Sequence, residues 1–298
     1  MSEILTVIVK LSGLVFVVGS MMAMGLSLTI PQIIKPLKDV KLLVLALVAN
    51  FILAPILAYA LTIVFGNLFG GFSEENRIAF ILLSTAAGAP FLPKLAQMAK
   101  GNVAYSVGLM TLLMVVSVLF LPIALPLLLP GVEVDAWAIA KSLIATMLVP
   151  LGIGLFIKAR YEETAAHLQP TFGQASNTAL MIMMGVMLVM NVKTILGVVG
   201  TGVLLAGVIF YIGSFLIGFL MGFGADQETK SVLGLGTGQR NLSAAFVVAA
   251  GNFSDRPDVI ITLVVLAIVN LVIMLPLGGE IGKRVAARSG VSSGDDAP

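Results

Sequence analysis

A chain of 298 residues in which 59% are hydrophobic and 11% charged is not a soluble globular domain, where the charged share is about 25%. Its mean hydropathy of +1.09 and recurring apolar runs of about 20 residues describe a polytopic, all-α membrane protein. The formal charge of +2 gives no reason to expect a nucleic-acid partner, and the absence of cysteine excludes disulfides, thiolate metal sites and thiol chemistry.

Taken in order, hydropathy and punctuation place nine transmembrane helices at about 4–30, 40–66, 77–99, 102–129, 136–158, 172–192, 195–223, 228–251 and 258–282. The first is too long for a signal peptide, contains Lys10 and lacks a small-residue cleavage site, so it is expected to be retained. The third is interrupted by Gly88, Pro90 and Pro93, with Lys94 just beyond. The eighth reads Gly234-Leu-Gly236-Thr-Gly238-Gln-Arg240-Asn241, and Gly236 and Gly238 are its expected break residues. Non-helical chain at membrane depth survives only against protein or a water-filled cavity. Pairs of such discontinuous helices build the substrate site of many secondary transporters. Connections are short, so residues 1–288 read as one transmembrane domain and 289–298 as a small, polar, disordered cytoplasmic tail.

Setting Gly101-Asn102 over Gly251-Asn252 also superposes Gly88 on Gly238, Leu92 on Leu242 and Ala99 on Ala249. The first four spans then match the last four, and the fifth has no partner. Four helices separate the two broken spans, so they enter the bilayer from opposite sides. The simplest account is an inverted repeat (4+5), about 4–129 and about 136–283, lacking one helix at the N-terminus.

Orientation follows from the cations. Lys35, Lys38, Lys41, Lys100, Lys158, Arg160, Lys230, Lys283, Arg284 and Arg288 gather on one side, against Arg77, Lys193 and Arg256 on the other. The C-terminus is therefore expected in the cytoplasm and the N-terminus outside a cell (inner) membrane.

Four cations fall inside spans. Lys10 and Lys141 lie within a turn or two of a surface and can snorkel. Lys94 and Arg240 follow breaks near mid-membrane, where a cation costs roughly 2.5–3.5 kcal/mol. The carboxylates, Glu133 among them, map to loops and span ends, with Glu280 near the end of the last span. Two intramembrane cations without an acidic partner suggest that the missing anion is the substrate, with Arg240 as its leading ligand and Lys94 assisting. The alternative is that both cap carbonyls released at the breaks. Gln239 and Asn241 flank Arg240, and Asn50, Gln97, Asn177, Ser243 and Asn270 also sit in apolar segments, where amides often act only as interhelical glue. No enzyme is indicated: His167 is the single histidine, no Gly-x-Ser-x-Gly occurs, and the glycines before Arg240 follow no strand. The methionines around Met183 and Met187 read as adaptable packing.

At this point the chain resembles the bile acid:sodium symporter family over nearly its whole length. Met24-Gly25-Leu26-Ser27-Leu28, Asn50-Phe51 with Pro55, Ala99-Lys100-Gly101-Asn102-Val103-Ala104 with Ser106, and Gln239-Arg240-Asn241 look like its motifs. The resemblance implies crossed broken helices and sodium-driven import of small organic anions. It also marks a departure. The family's sodium-binding glutamate falls on Gly236, its following glutamine on Arg240, a Ser-Asn pair on Leu92-Pro93 and a threonine on Met110; Ser106 and Asn50 alone keep a matching ligand type. The expectation is that Lys94 and Arg240 replace the two sodium ions. Transport would then be sodium-independent, by facilitated diffusion, exchange or proton coupling through Lys94, with no cofactor. The rival readings are a sodium-coupled symporter using amides and carbonyls, and a non-transporting membrane receptor or binding scaffold.

Overall fold

The computed structural model describes residues 2–34, 38–69, 72–132, 134–190, 192–193 and 200–292. Lys35, Glu133 and residues 293–298 of the expected tail therefore lie outside the described residues, while 289–292 continue the last helix.

Among the described residues every regular element is helical. The order is α1 (Ser2–Ser27), α2 (Ile30–Ile34), α3 (Val40–Val48), α4 (Ala54–Phe69), α5 (Glu74–Thr85), α6 (Leu92–Met98), α7 (Val103–Leu128), α8 (Ala136–Leu143), α9 (Val149–Arg160), α10 (Glu162–Met190), α11 (Val203–Met221), α12 (Gln227–Gly238), α13 (Leu242–Asn252) and α14 (Pro257–Ser292). Single π-turns, Ala49–Leu53 and Ile144–Leu148, join α3 to α4 and α8 to α9 without ending the helix.

Short polar side chains start these helices because their oxygens accept from first-turn N–H groups that have no intrahelical partner. Ser73 caps α5 through Asn76 N (3.2 Å), Asn102 caps α7 through Tyr105 N (2.9 Å), and Asp226 caps α12 through Thr229 N (2.8 Å). Six helical segments are long and apolar enough to cross a membrane: 7–27, 40–68, 103–128, 136–160, 203–221 and 257–287. They coincide with six of the expected spans. The two broken spans fall short because each is split into pieces of 12 and 7, or 12 and 11, residues. Helix α10, 29 residues long, begins at Glu162 rather than near 172 and carries Glu162, Glu163 and His167 in its first turns.

Two groups of helices result. α1 packs on α9 and α10, and Gly25 and Gly154 let α1 and α9 touch backbone to backbone: a Cβ on Gly25 would lie 2.9 Å from the Gly154 Cα. The other group surrounds the broken helices, and Ile78–Thr85 of α5 and Val232–Gly238 of α12 are buried throughout. The outer faces carry exposed apolar side chains such as Leu68, Ile123, Leu127, Val189 and Leu220, as contact with lipid requires.

Candidate functional site where the two broken helices cross

The first break runs from Ala86 to Phe91. Gly88 turns it at φ +80, the left-handed region that a Cβ disfavours, and a Cβ there would also strike the Met110 carbonyl (2.6 Å) and the Met114 Cα (2.7 Å) of α7. The Ser117 hydroxyl of α7 meets both peptide groups of Ala87, accepting from its N–H at 2.8 Å and donating to its carbonyl at 3.0 Å. Pro90 lies in the turn that follows. Pro93 belongs to the first turn of α6, where a missing N–H costs nothing, so it starts the second half-helix rather than breaking the first.

The second break is shorter than its glycines suggest. Helix α12 continues through Gly236 to Gly238, and Gln239–Asn241 form the break. Gly236 serves packing instead: a Cβ would sit 3.0 Å from both Leu92 and Leu109. The Gly238 carbonyl, freed by the break, accepts from Asn270 Nδ2 at 3.2 Å.

The two breaks satisfy each other. Asn241 donates its backbone N–H to the Ala86 carbonyl (2.9 Å) and its Nδ2 to the Gly88 carbonyl (3.1 Å). Its Oδ1 caps α13 by accepting from Ala244 N (3.1 Å). Arg240 Nη1 donates to the Ser84 carbonyl in the last turn of α5 (3.3 Å) and to Asn50 Oδ1 (3.4 Å). Asn50, on the first π-turn, is held by Thr237 Oγ1 (3.1 Å) and the Ala46 carbonyl (3.0 Å). The Phe210 ring lies 5.5 Å from the guanidinium carbon. Arg240 is thus bound at one end much as the capping alternative requires.

Its other end is not bound. Arg240 is only 2% exposed, yet among the described residues Nε and Nη2 have no hydrogen-bond partner. Ion pairs among the described residues join Glu74 to Arg77 and Arg256, Lys158 to Glu162, and Arg284 to Glu280, none of them reaching Arg240. Nε and Nη2 are the two nitrogens of one guanidinium edge, the edge a carboxylate bridges with two parallel hydrogen bonds. Gln239 Oε1, Asn270 Oδ1 and Ser243 Oγ are also buried and without a partner among the described residues.

Lys94 stands apart. On α6, Leu92, Leu95 and Ala96 are buried at helical spacing, which turns Lys94 and Gln97 to the exposed face. Among the described residues Lys94 forms no ion pair and is not one of the groups touching Arg240. It is therefore not enclosed by the groups of the crossing, where its place in the sequence suggested it would lie. Lys10 and Lys141 are exposed near span ends, and the Lys141 ammonium lies 5.1 Å from the Trp137 ring. Ser106, expected from the resemblance as a residual sodium-ligand position, is buried and donates to the Val103 carbonyl at 2.6 Å. No cluster of three or more His, Asp or Glu side chains occurs among the described residues.

The sequence reading missed Ser117, Thr237 and Phe210. Ser117 and Thr237 are single hydroxyls in apolar helices, a signal too common to single out. Nothing in the sequence marks Phe210.

A sequence profile of the Sodium Bile acid symporter family matches residues 14–198, which include Asn50 and the first break. The chain is similar to proteins named probable sodium/metabolite cotransporter BASS3, chloroplastic. The one from Arabidopsis thaliana is 27% identical over 237 residues, covering 78% of this chain and 54% of that protein. The one from Oryza sativa subsp. japonica is 25% identical over 289 residues, covering 92% and 67%. A probable sodium/metabolite cotransporter BASS1, chloroplastic, from Arabidopsis thaliana is 23% identical over 239 residues, covering 79% and 58%. The chain thus spans little more than half to two thirds of the length of these relatives. Matched over more than half of its own length by that profile, the chain belongs to the Sodium Bile acid symporter family.

Proposed function

We propose that this chain is a secondary transporter that carries small organic anions, carboxylates foremost, by alternating access and without sodium. The observation that carries this reading is the half-bound guanidinium of Arg240. A buried cation with no acidic partner is costly, and pairing with an anion at the Nε and Nη2 edge removes that cost while giving geometric selection of a carboxylate. Nη1, between the Asn50 and Ser84 oxygens, ties the second break to the first π-turn and to the end of α5, as a bound cation would. A tethered cation there repels sodium. Asn241, Gln239, Asn50 and Asn270 complete the site with hydrogen bonds. Lys94, being exposed, meets the anion on its way to the buried site rather than replacing a second sodium ion.

Nine spans follow if α10 and the two broken pairs cross the bilayer along with the six long apolar segments. They form the inverted repeat, about 4–129 and about 136–283, in a cell (inner) membrane, N-terminus outside and C-terminus cytoplasmic. The group around the crossing rocks against the α1, α9 and α10 group.

The names of the relatives favour a second reading, sodium-coupled symport, with Asn50, Ser106 and break carbonyls as ligands. Thermal unfolding of purified protein with a panel of organic anions, with and without sodium, separates the two, because a ligand of the folded state raises its stability with the logarithm of its concentration. A carboxylate that stabilises the wild type without sodium and fails to stabilise Arg240→Gln supports the tethered-cation site. Strict dependence on sodium, or an unchanged response in Arg240→Gln, refutes it.

A further inference from the structure

Arg240 is a cation in a place that bulk water does not reach: Arg240, Asn241, Ser243, Asn270 and Asn50 are each no more than 2% exposed. Two donors of its guanidinium, Nε and Nη2, and the hydroxyl of Ser243 have no partner among the described residues. All three belong to the start of α13, since Arg240 stands just before the cap residue Asn241 and Ser243 lies in the first turn. The positive end of the helix dipole adds to the charge there. A capped helix start is weak ground for a ligand by itself. Beside it, however, lies a buried guanidinium edge without a partner, and that edge calls for an anion.

The enclosure sets the size of that anion. An organic acid reaches the edge only once the helices around the crossing part, whereas the charge needs a partner in the closed arrangement too. Water satisfies the N–H groups and leaves the charge uncompensated. A monoatomic anion does both, because it accepts charge-assisted hydrogen bonds from several donors and fills the space of a single heavy atom. Gln239 Oε1 and Asn270 Oδ1 are acceptors and take no part in holding it. We infer that the closed crossing holds one chloride ion on the Nε and Nη2 edge of Arg240, with the Ser243 hydroxyl as a third donor. This rests on Arg240 as the tethered cation of the proposed transport site, and it supplies the ion that moves in return. A monocarboxylate takes the edge as chloride leaves it, so the exchange is electroneutral and needs no sodium.

Purified protein in neutral detergent, free of sodium, is unfolded thermally while chloride or bromide replaces methanesulfonate, an anion too large for the closed crossing, at constant ionic strength as choline salts. Either halide should raise the midpoint of the wild type by about 3 °C or more once it is far above its dissociation constant. The response should vanish in Arg240→Gln. Ser243→Ala should need ~3–10 times more halide for the same shift. Arg240→Lys keeps a cation but not the forked edge, and should need about ten times more or worse; it serves if Arg240→Gln does not fold. A wild-type midpoint indifferent to halide, or a response left unchanged by Arg240→Lys, overturns the inference. Stabilisation by a carboxylate through Arg240 that chloride neither mimics nor weakens also overturns it, and leaves the proposed function in place. Halide stabilisation through Arg240 against which no carboxylate of the panel competes does the reverse.

Discussion

Replacing Asn241 should cost more than an ordinary amide in a membrane helix, because this side chain joins two breaks and starts a helix. Asn241→Ala removes the α13 cap, made by Oδ1 to Ala244 N at 3.1 Å, a loss of about 1 kcal/mol. It also strands the Gly88 carbonyl, which accepts from Nδ2 at 3.1 Å and is buried, for a further ~1–3 kcal/mol. The sum is about 2–4 kcal/mol. Asn241→Ser keeps a capping oxygen but cannot reach Gly88, so it should lose only the second part, about 1–3 kcal/mol. Equilibrium unfolding in mixed micelles, followed by circular dichroism, measures both. If Asn241→Ala lies within about 0.5 kcal/mol of the wild type, or if the serine and alanine variants are equal, the crossing is not held together as described.

Three other variants probe the same region. Gly88→Ala places a Cβ in the left-handed region and against the α7 backbone, and should lose about 2–5 kcal/mol, visible as a collapse in the yield of monodisperse protein. Ser117→Ala leaves both peptide groups of Ala87 without their partner and should lose at least about 2 kcal/mol in the same unfolding assay. Lys94→Ala should change stability by no more than about 0.5 kcal/mol. A gain of about 2.5–3.5 kcal/mol on neutralising it would instead show a cation held away from water at membrane depth.

Much of the crossing was legible because backbone breaks leave marks in sequence. Gly88 and Pro90 marked the first break, and the polar run Gln239-Arg240-Asn241 marked the second. In both, the chemistry of the residue itself says what it cannot do in lipid. What sequence could not fix was the facing of side chains on short helices. Lys94 lies two residues beyond a buried leucine, and on a helix that step turns it to the opposite side. Reading depth alone placed it in the site. Gly236 misled in a related way, since a glycine that lets two leucines approach is indistinguishable in sequence from one that ends a helix. The roles of Ser117 and Phe210 depend on contacts across 30 residues in both cases, Ser117 to Ala87 and Phe210 to Arg240, and no local pattern encodes them.

The π-turn that carries Asn50 has one more consequence. Its closing bond runs from Ala54 N to the Ala49 carbonyl, so the turn holds one residue more than an α-turn would. Removing a single residue between 49 and 53 would let α3 run into α4 as one regular helix, with neither end changing the face it presents to its neighbours. The loss would be confined to the turn, where Asn50 would be withdrawn from Arg240 and Thr237. The chain can thus shorten by one residue at this point and keep its spans, and the point where its length is negotiable is the one that meets the buried cation.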